Sequence, residues 1–493
     1  MHPRVLSRWL LGLALLAPTP PAPAEELKAD VEAGKKLLEE GDALADKDRP
    51  NEAVVRYKQA FEHLLPGIRK IAFRHDVQRD VTAREDLRAL LIKEIDEEMT
   101  PEEFRADELG MKALGLLPRD FPLKETMVKV YSEEIAAFYD TKTQTMHLIK
   151  EPEAKAKKPP TFFERLLGKT GGFDKDEHKT VIAHELTHAL ADQNFHLDAM
   201  QKEVKHDDDR SLALSALIEG EATLTMIGAQ MEDWDGSKLR EIPASRLDRL
   251  LSLLMPFLPM AGGASLREAP VILSETMIFP YLRGLVFCAR VVNDEGWAGL
   301  NAAYRRPPLS TEQVLHPEKY RARPDLPMVV DLGQLGPCDG WKEVGRNVVG
   351  EMQLSVMLRH HGGRAAAGGW DGDHYAVFEG PGDRLGLVWL TTWDSDDDAR
   401  EFARGYIRYQ AHKLGLDAPP PPEEPGDAPP EAIRRTHEGA VYVVDRRRAD
   451  VAVVEGFPED VTGSLLDAAF RAKKVELTYA QTTPPKEKAE DRR

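Results

Sequence analysis

The sequence predicts an α+β protein that is mostly helical, and two groups of segments support this fold class. Long helix-favouring stretches at 176–193 and 210–232 predict two major helices. Short apolar runs at 375–378 and 385–393, joined by turn residues, predict a pair of strands, and 441–454 predicts a second, hairpin-like pair. The strand signals concentrate towards the C-terminus, so we expect a helical body followed by a small α+β domain.

The chain begins with the features of a secretory signal peptide. Two arginines precede an apolar run at 9–17, and Ala22-Pro23-Ala24 provides a small-residue cleavage site before Glu25. The apolar run is too short for a membrane span, and no later segment predicts one. We therefore expect removal of residues 1–24 and export of the mature protein, which is then periplasmic or secreted.

Residues 25–78 predict a helical arm. The segments 33–38 and 52–60 resemble the two helices of a single tetratricopeptide (TPR-like) unit. One unit cannot stack into a peptide-binding solenoid. We therefore expect this arm to pack on the body of the protein.

The segment from His184 to His188 is an H-E-x-x-H sequence within the first major helix. Residues four apart lie on one face of a helix, so His184 and His188 can bind one metal ion through their imidazole nitrogens. Glu185 follows the first ligand and can reach a metal-bound water, which is the arrangement of zinc hydrolases. Apolar flanks predict a buried helix, where these groups are costly without a partner. We therefore predict a Zn²⁺ site.

A catalytic zinc needs a third protein ligand and an open position for water. Glu219 and Glu221, on the second major helix, are the two candidates. They are two residues apart and point to nearly opposite sides of the helix, so both cannot face the zinc. Helical periodicity does not choose between them.

An H-E-x-x-H helix followed by a glutamate on a later helix resembles the gluzincin pattern of zinc metallopeptidases. The pair Glu219-Gly220 resembles part of the Asn-Glu-Gly motif of aminopeptidase N-type enzymes, in which the glutamate binds zinc. The resemblance implies that Glu219 is the third ligand of His184 and His188, and that Glu221 lies beside the site or forms a salt bridge.

Several segments, in this order, also resemble a family of exported and largely uncharacterised bacterial metallopeptidases. These segments are 137–140, 184–193, 216–222, 279–281 and 310–317. The resemblance implies a zincin-like metallopeptidase domain at 79–325. We expect a C-terminal α+β domain at 326–480 and a disordered tail at 481–493.

The gluzincin resemblance also implies a Tyr or His from a later segment that stabilises the oxyanion. Tyr281 is one candidate, because it follows Pro280 and is predicted to open a helix. His316, in the polar loop 307–317, is the other. A packed tyrosine and a surface histidine are the competing interpretations.

Three further features have predicted supporting roles. Asp192, one turn after His188, is a candidate to orient an imidazole, and Thr223 follows Glu219 by one turn. The strand-like segment 145–149 precedes the metal helix. By resemblance to zincin folds, we expect it to border the cleft and pair with an extended substrate.

Charge and cysteine content limit the remaining classes. The formal net charge of −18 argues against a nucleic-acid partner. Cys288 and Cys338 are the two cysteines; they either pair in an oxidising compartment or remain buried thiols.

The predicted function is zinc-dependent hydrolysis of peptide bonds in a peptide or protein substrate, with Glu185 as general base. Two alternatives stay open. One is a catalytically weak zincin scaffold that binds envelope protein partners, and the other is a metal-dependent hydrolase of non-peptide amides.

Overall fold

The structure is a computed structural model that describes residues 24–150, 175–254, 264–321, 323–336, 338–417 and 431–479. The predicted signal peptide, apart from Ala24, and the predicted tail lie outside the described residues. Within the described residues the protein is α+β and mostly helical, which confirms the predicted fold class.

Helices form most of the regular structure. In chain order they are α1 (Ala24–Ala45), α2 (Pro50–Arg69), α3 (Arg84–Glu98), α4 (Pro101–Leu114), α5 (Leu123–Glu134), α6 (Lys175–Phe195), α7 (Leu197–Val204), α8 (Asp208–Gln230), α9 (Ser237–Glu241), α10 (Ala244–Leu254), α11 (Ala264–Glu268), α12 (Val271–Ala303), α13 (Thr311–Leu315), α14 (Pro317–Tyr320), α15 (Gly350–Met357), α16 (Asp396–Lys413) and α17 (Glu459–Phe470). The strands are β1 (Gln78–Ala83), β2 (Ala137–Asp140), β3 (Thr145–Lys150), β4 (Met328–Asp331), β5 (Lys342–Asn347), β6 (Trp370–Gly380), β7 (Arg384–Trp393), β8 (Ile433–His437), β9 (Ala440–Arg447), β10 (Asp450–Phe457) and β11 (Lys473–Glu476).

The chain divides into two compact units. The first contains the described parts of Met1–Pro101, Pro118–Gln201 and Ser211–Pro308, and the second contains Glu102–Leu117, Lys202–Arg210 and the described part of Leu309–Arg493. The predicted arm at 25–78 therefore belongs to the first unit. The C-terminal domain is predicted to begin at residue 326, but the second unit also contains residues that come earlier in the chain. Side chains of these residues, such as Leu114, pack into its core.

In the first unit, α1 and α2 form the helix pair that the sequence predicts. The hydroxyl of Tyr57 in α2 donates to Asp42 Oδ1 in α1 at 2.8 Å. Lys179, on α6, donates from Nζ to Asp42 Oδ2 at 2.9 Å and lies 5.4 Å from the centre of the Tyr57 ring. The pair is therefore attached directly to the helix that carries the H-E-x-x-H sequence.

A three-stranded sheet in the first unit has the order β1-β3-β2. Strand β3 pairs in parallel with β1 and antiparallel with β2, so it is the central strand. The expectation that 145–149 offers its backbone to a substrate is therefore wrong, because both of its sides are paired. Strand β1 is not among the strands that the sequence predicts; its pairing with β3 outweighs its weak local signal.

Two helices, α8 and α12, are long and apolar enough to cross a membrane by length and composition. Within the apolar 18-residue window of each helix, 94% of α8 and 78% of α12 is buried inside the protein. The core helices of globular proteins have the same property, so these two helices are weak evidence for a membrane span.

The crossing of α8 and α12 depends on two glycines. A Cβ on Gly220 would lie 2.1 Å from the carbonyl carbon of Gly284, and a Cβ on Gly284 would lie 2.0 Å from the carbonyl oxygen of Ala216. Only glycine allows the two backbones to approach this closely. One turn further on, Cys288 donates from Sγ to the carbonyl oxygen of Leu217 at 3.5 Å. Cys288 and Cys338 are both buried free thiols.

The second unit is built on an antiparallel sheet with the order β5-β6-β7-β10-β9-β8. Successive residues of β7 face opposite sides. Leu387 and Trp389 pack in the core that contains α16, whereas Val388 and Leu390 pack in the core that contains α17. Strands β6 and β7 include the pair predicted at 375–378 and 385–393, and β9 and β10 include the pair predicted at 441–454.

Candidate metal centre

Helix α6 is buried around its whole circumference near the H-E-x-x-H sequence. Every residue from Thr180 to Gln193 is buried. His184 and His188 are one turn apart, and their rings meet edge to face with centroids 4.7 Å apart. Their Nε2 atoms are 3.1 Å apart. Local helix geometry therefore brings two ligand nitrogens to one point, as the sequence predicts.

Glu219 of α8 completes a triangle with these nitrogens. Its Oε2 is 3.2 Å from Nε2 of His184 and 3.4 Å from Nε2 of His188. A tetrahedral zinc with ligands at about 2.0–2.1 Å requires ligand atoms about 3.3 Å from one another. The three observed separations match this value. The donor set of two imidazoles and one carboxylate therefore suits Zn²⁺ and leaves a fourth position for water.

The electrostatics of this triangle favour positive charge. Burial by itself raises the pKa of Glu219, but the charge of His188 and hydrogen bonds from both histidines lower it further, to well below its usual range. Burial lowers the pKa of His188, and the charge of Glu219 outweighs this effect and raises the pKa to about 9. An ionised carboxylate that is only 12% exposed thus lies ready to neutralise a cation.

Glu221 has a different set of partners, all in the first unit. Its carboxylate accepts hydrogen bonds from Arg69 of α2 and from the hydroxyl of Tyr304. Arg69 also donates to Asn301 Oδ1 at 3.0 Å, and its guanidinium lies 5.1 Å from the centre of the Trp297 ring. Glu221 therefore forms a buried salt bridge, and Glu219 is the carboxylate that faces the histidines.

Glu185 lies beside the triangle and is held by a strand. Its carboxylate accepts a hydrogen bond from the backbone N–H of Tyr139 in β2, an edge strand of the described sheet. Burial raises the pKa of Glu185, and the nearby charges of His184 and His188 oppose this rise. The carboxylate is thus oriented by a backbone group that the sequence pattern does not reveal.

The supporting roles predicted for Asp192 and Thr223 are not seen. Asp192 accepts hydrogen bonds from the Tyr139 hydroxyl at 3.2 Å and from the backbone N–H of Leu197 at 3.1 Å. The Nδ1 atoms of both metal-site histidines, like Oγ1 of Thr223, have no hydrogen-bond partner among the described residues. Asp192 instead joins the end of α6 to α7 and β2.

Tyr281 lies next to His184 and Glu219. It is in the interior of its helix, and not at the start of a helix as the sequence predicts. Helix α12 begins at Val271, so Pro280 and Tyr281 lie in its interior and Tyr281 does not open a helix. Packing of the long apolar helix compensates for the hydrogen bond that an interior proline removes. The Tyr281 ring stacks on His184 with centroids 6.0 Å apart, and its hydroxyl hydrogen-bonds Glu219. Its catalytic role stays a prediction.

His316 belongs to the second unit and is not part of the triangle. Its Nε2 lies 2.9 Å from Oε1 of the buried Glu351. The catalytic role predicted for it stays a prediction.

A second group of carboxylates in that unit consists of Glu312, Asp325 and Asp394. Lys319 bonds each of them through Nζ, at 2.6, 2.8 and 2.5 Å respectively. The lysine ammonium therefore already serves as their cation.

Comparison with known proteins adds one finding. Residues 337–466 match a family model described as Domain of unknown function (DUF8575). The matched residues lie in the second unit and include the whole six-stranded sheet. No curated protein and no solved structure matches the chain. The match leaves out His184, His188 and Glu219, so the chemistry of the metal centre is inferred from its geometry.

Proposed function

We propose that this protein is a zinc-dependent hydrolase that cleaves peptide bonds. The triangle of two imidazole nitrogens and one carboxylate oxygen, with a second carboxylate beside it, is the observation that carries the proposal. These are the ligand number and ligand types of gluzincin-type catalytic zinc sites.

Each group has a distinct role in the proposed reaction. His184, His188 and Glu219 hold the metal, and a zinc ion bound there supplies an acidified water and polarises the scissile carbonyl. Glu185 accepts a proton from the attacking water and passes it to the leaving amine. Tyr281 donates a hydrogen bond to the oxygen that gains negative charge. The backbone N–H of Tyr139 keeps Glu185 in place.

Zinc content is the first test. We expect the mature chain, starting at Glu25, to contain about one zinc ion, as a single site of this type requires. His188→Ala and Glu219→Ala remove a ligand and should abolish zinc binding. His178→Ala is the matched control, because His178 lies on α6 outside the triangle. Absence of zinc from the wild-type protein after metal is supplied would refute the site.

Peptide cleavage tests the general base. Glu185→Gln keeps the size of the side chain and removes its basicity, so we expect normal zinc content and loss of turnover on a peptide library read by mass spectrometry. Asp176→Asn makes the same chemical change on α6 at a side chain that is 88% exposed, and it should retain activity. Normal cleavage by Glu185→Gln would remove Glu185 from the mechanism.

Two other outcomes would favour the alternatives. Zinc without cleavage of any peptide would favour a scaffold that binds envelope proteins, and cleavage confined to other amides would favour a non-peptide amidase. Export to the periplasm or the medium is part of the proposal.

A further inference from the structure

Helix α10 has an inner face that is attached to α12. The backbone N–H of Ala244, where α10 begins, donates to Asn293 Oδ1 at 2.8 Å. Arg283 of α12 donates from Nη1 to Asp248 Oδ1 at 2.5 Å and from Nη2 to Ser252 Oγ at 3.4 Å. Asp248 is the one acidic residue in the sequence of α10. Its charge is therefore paired on the side of the helix that faces α12.

The outer face of α10 consists of two arginines and two leucines. Arg249, Leu253, Arg246 and Leu250 follow one another around about 100° of the helix surface, and Asp248 lies outside this range. All four residues are exposed. Leu250 is 52% exposed and Leu253 is 70% exposed. This face therefore presents only positive charge and apolar surface to the solvent.

The two arginines of the outer face are not engaged within the protein. The side chains of Arg246 and Arg249 form no hydrogen bond or ion pair with the residues that the structure describes. By contrast, Arg290, which is also exposed, pairs with Asp294 at 2.6 Å. Acidic residues outnumber basic ones by 84 to 66 in the chain, so a face that carries only unpaired positive charge differs from the protein as a whole.

A lipid bilayer with anionic headgroups matches this combination of side chains. In a helix that lies on such a surface, leucines enter the boundary of the acyl chains and arginines extend to the phosphates. A protein partner in a stable complex covers about 800 Å² on each side, which is more than four side chains of one convex helix provide. A bilayer needs no complementary shape, and its phosphates supply the negative charge that the arginines lack.

We infer that the outer face of α10 docks on a lipid surface that carries anionic phosphate headgroups. Arg246 and Arg249 attract the headgroups, and Leu250 and Leu253 enter the bilayer boundary. This contact would hold the protein at a membrane surface without a membrane-spanning helix. The inference is independent of the metal centre and goes beyond the proposed hydrolysis.

Sedimentation with lipid vesicles tests the inference on the mature chain, starting at Glu25. We expect binding to vesicles of phosphatidylcholine mixed with phosphatidylglycerol, and much weaker binding to phosphatidylcholine alone. Arg246→Gln with Arg249→Gln should weaken binding about 30-fold, because each arginine near an anionic surface contributes about fivefold. Leu250→Ser with Leu253→Ser should weaken it about tenfold or more, because the variant loses apolar surface that the bilayer buries.

Lys36→Gln with Arg88→Gln is the matched control. It removes the same charge from exposed side chains of α1 and α3, so binding should equal that of the wild type. All three double variants change exposed side chains and should keep the wild-type melting temperature.

Two vesicle results would overturn the inference: no binding of the wild type to anionic vesicles, or an equal loss of binding in the control and in the arginine variant. Analytical ultracentrifugation provides a further test. Self-association that Leu250→Ser with Leu253→Ser abolishes, while vesicle binding does not change, would assign this face to a second copy of the chain and also overturn the inference.

Discussion

The buried pair of Arg69 and Glu221 gives the sharpest test of how the first unit is stabilised. Arg69 ends α2, and Glu221 lies on α8 two residues after Glu219. Their side chains are 0% and 1% exposed. Removing Arg69 alone, as in Arg69→Met, leaves the Glu221 carboxylate buried without its counter-ion.

The size of the effect follows from this burial. Breaking a buried ion pair from one side costs about 3–5 kcal/mol. Tyr304 still donates to Glu221 in the variant, so we expect a loss near the lower end, about 3 kcal/mol. Glu221→Leu should cost a similar amount, because it leaves a buried guanidinium. The double variant removes both charges and leaves chiefly the Tyr304 hydroxyl without a partner, at about 1–3 kcal/mol.

Hydrogen exchange of α8 amides in the metal-free protein is the appropriate assay, because it reports the first unit separately from the second. Arg290→Met is the matched control. Arg290 pairs with Asp294 at 2.6 Å on α12, but it is 44% exposed, so its loss should cost less than about 1 kcal/mol.

Two results would refute the reasoning. A double variant whose loss equals the sum of the two single losses would show that the side chains do not interact. A loss below about 1 kcal/mol in Arg69→Met, as expected for an exposed pair, would show that Glu221 is not buried in solution.

Three more outcomes follow from the structure and sequence. Gly220→Ala places a Cβ against the Gly284 backbone, so thermal unfolding should show a loss of stability of about 3 kcal/mol or more, and zinc content should fall. Gly463→Ala is the control, because a Cβ at Gly463 in α17 meets no atom within 4 Å, and it should be neutral or stabilising. Equal effects of the two variants would contradict the close crossing of α8 and α12. Burial raises the pKa of Asp192 from 3.8 to about 7, so the folded protein binds this proton more tightly than the unfolded protein does. The protonated Asp192 therefore contributes stability that is complete below pH 3.8 and is lost as the pH rises through 7. The metal-free wild type should therefore lose stability relative to Asp192→Asn over this range, and parallel urea-unfolding profiles would exclude the shift. N-terminal sequencing of the exported protein should begin at Glu25, and an intact N-terminus would exclude the signal peptide.

Local pattern was enough to predict several elements. The helix predicted at 176–193 is α6, and the strand predicted at 385–393 is β7. Both are runs of residues whose preference for helix or strand depends only on their neighbours in sequence. The sequence does not predict strand β1, because three of its six residues are exposed and none is buried, so no buried face marks it. Its partner β3 lies more than 60 residues later in the chain.

The prediction was also wrong at Pro280, where tertiary packing compensates for the hydrogen bond that a proline removes from a helix. Pro280 suggested a helix boundary, yet α12 continues through it. The helix is buried along most of its length, and the stabilisation gained by this burial outweighs the hydrogen bond lost at proline. The same packing brings Tyr281, from the middle of a helix, next to His184 and Glu219.

The sequence by itself determined that the side chains of His184 and His188 lie together, because a spacing of four residues fixes a common helix face. Only the tertiary structure decided between Glu219 and Glu221. They are about 200° apart around α8, so the side that faces α6 depends on how α8 packs. That packing is set by the glycine crossing with α12 and by Arg69, which lies far away in sequence and binds Glu221.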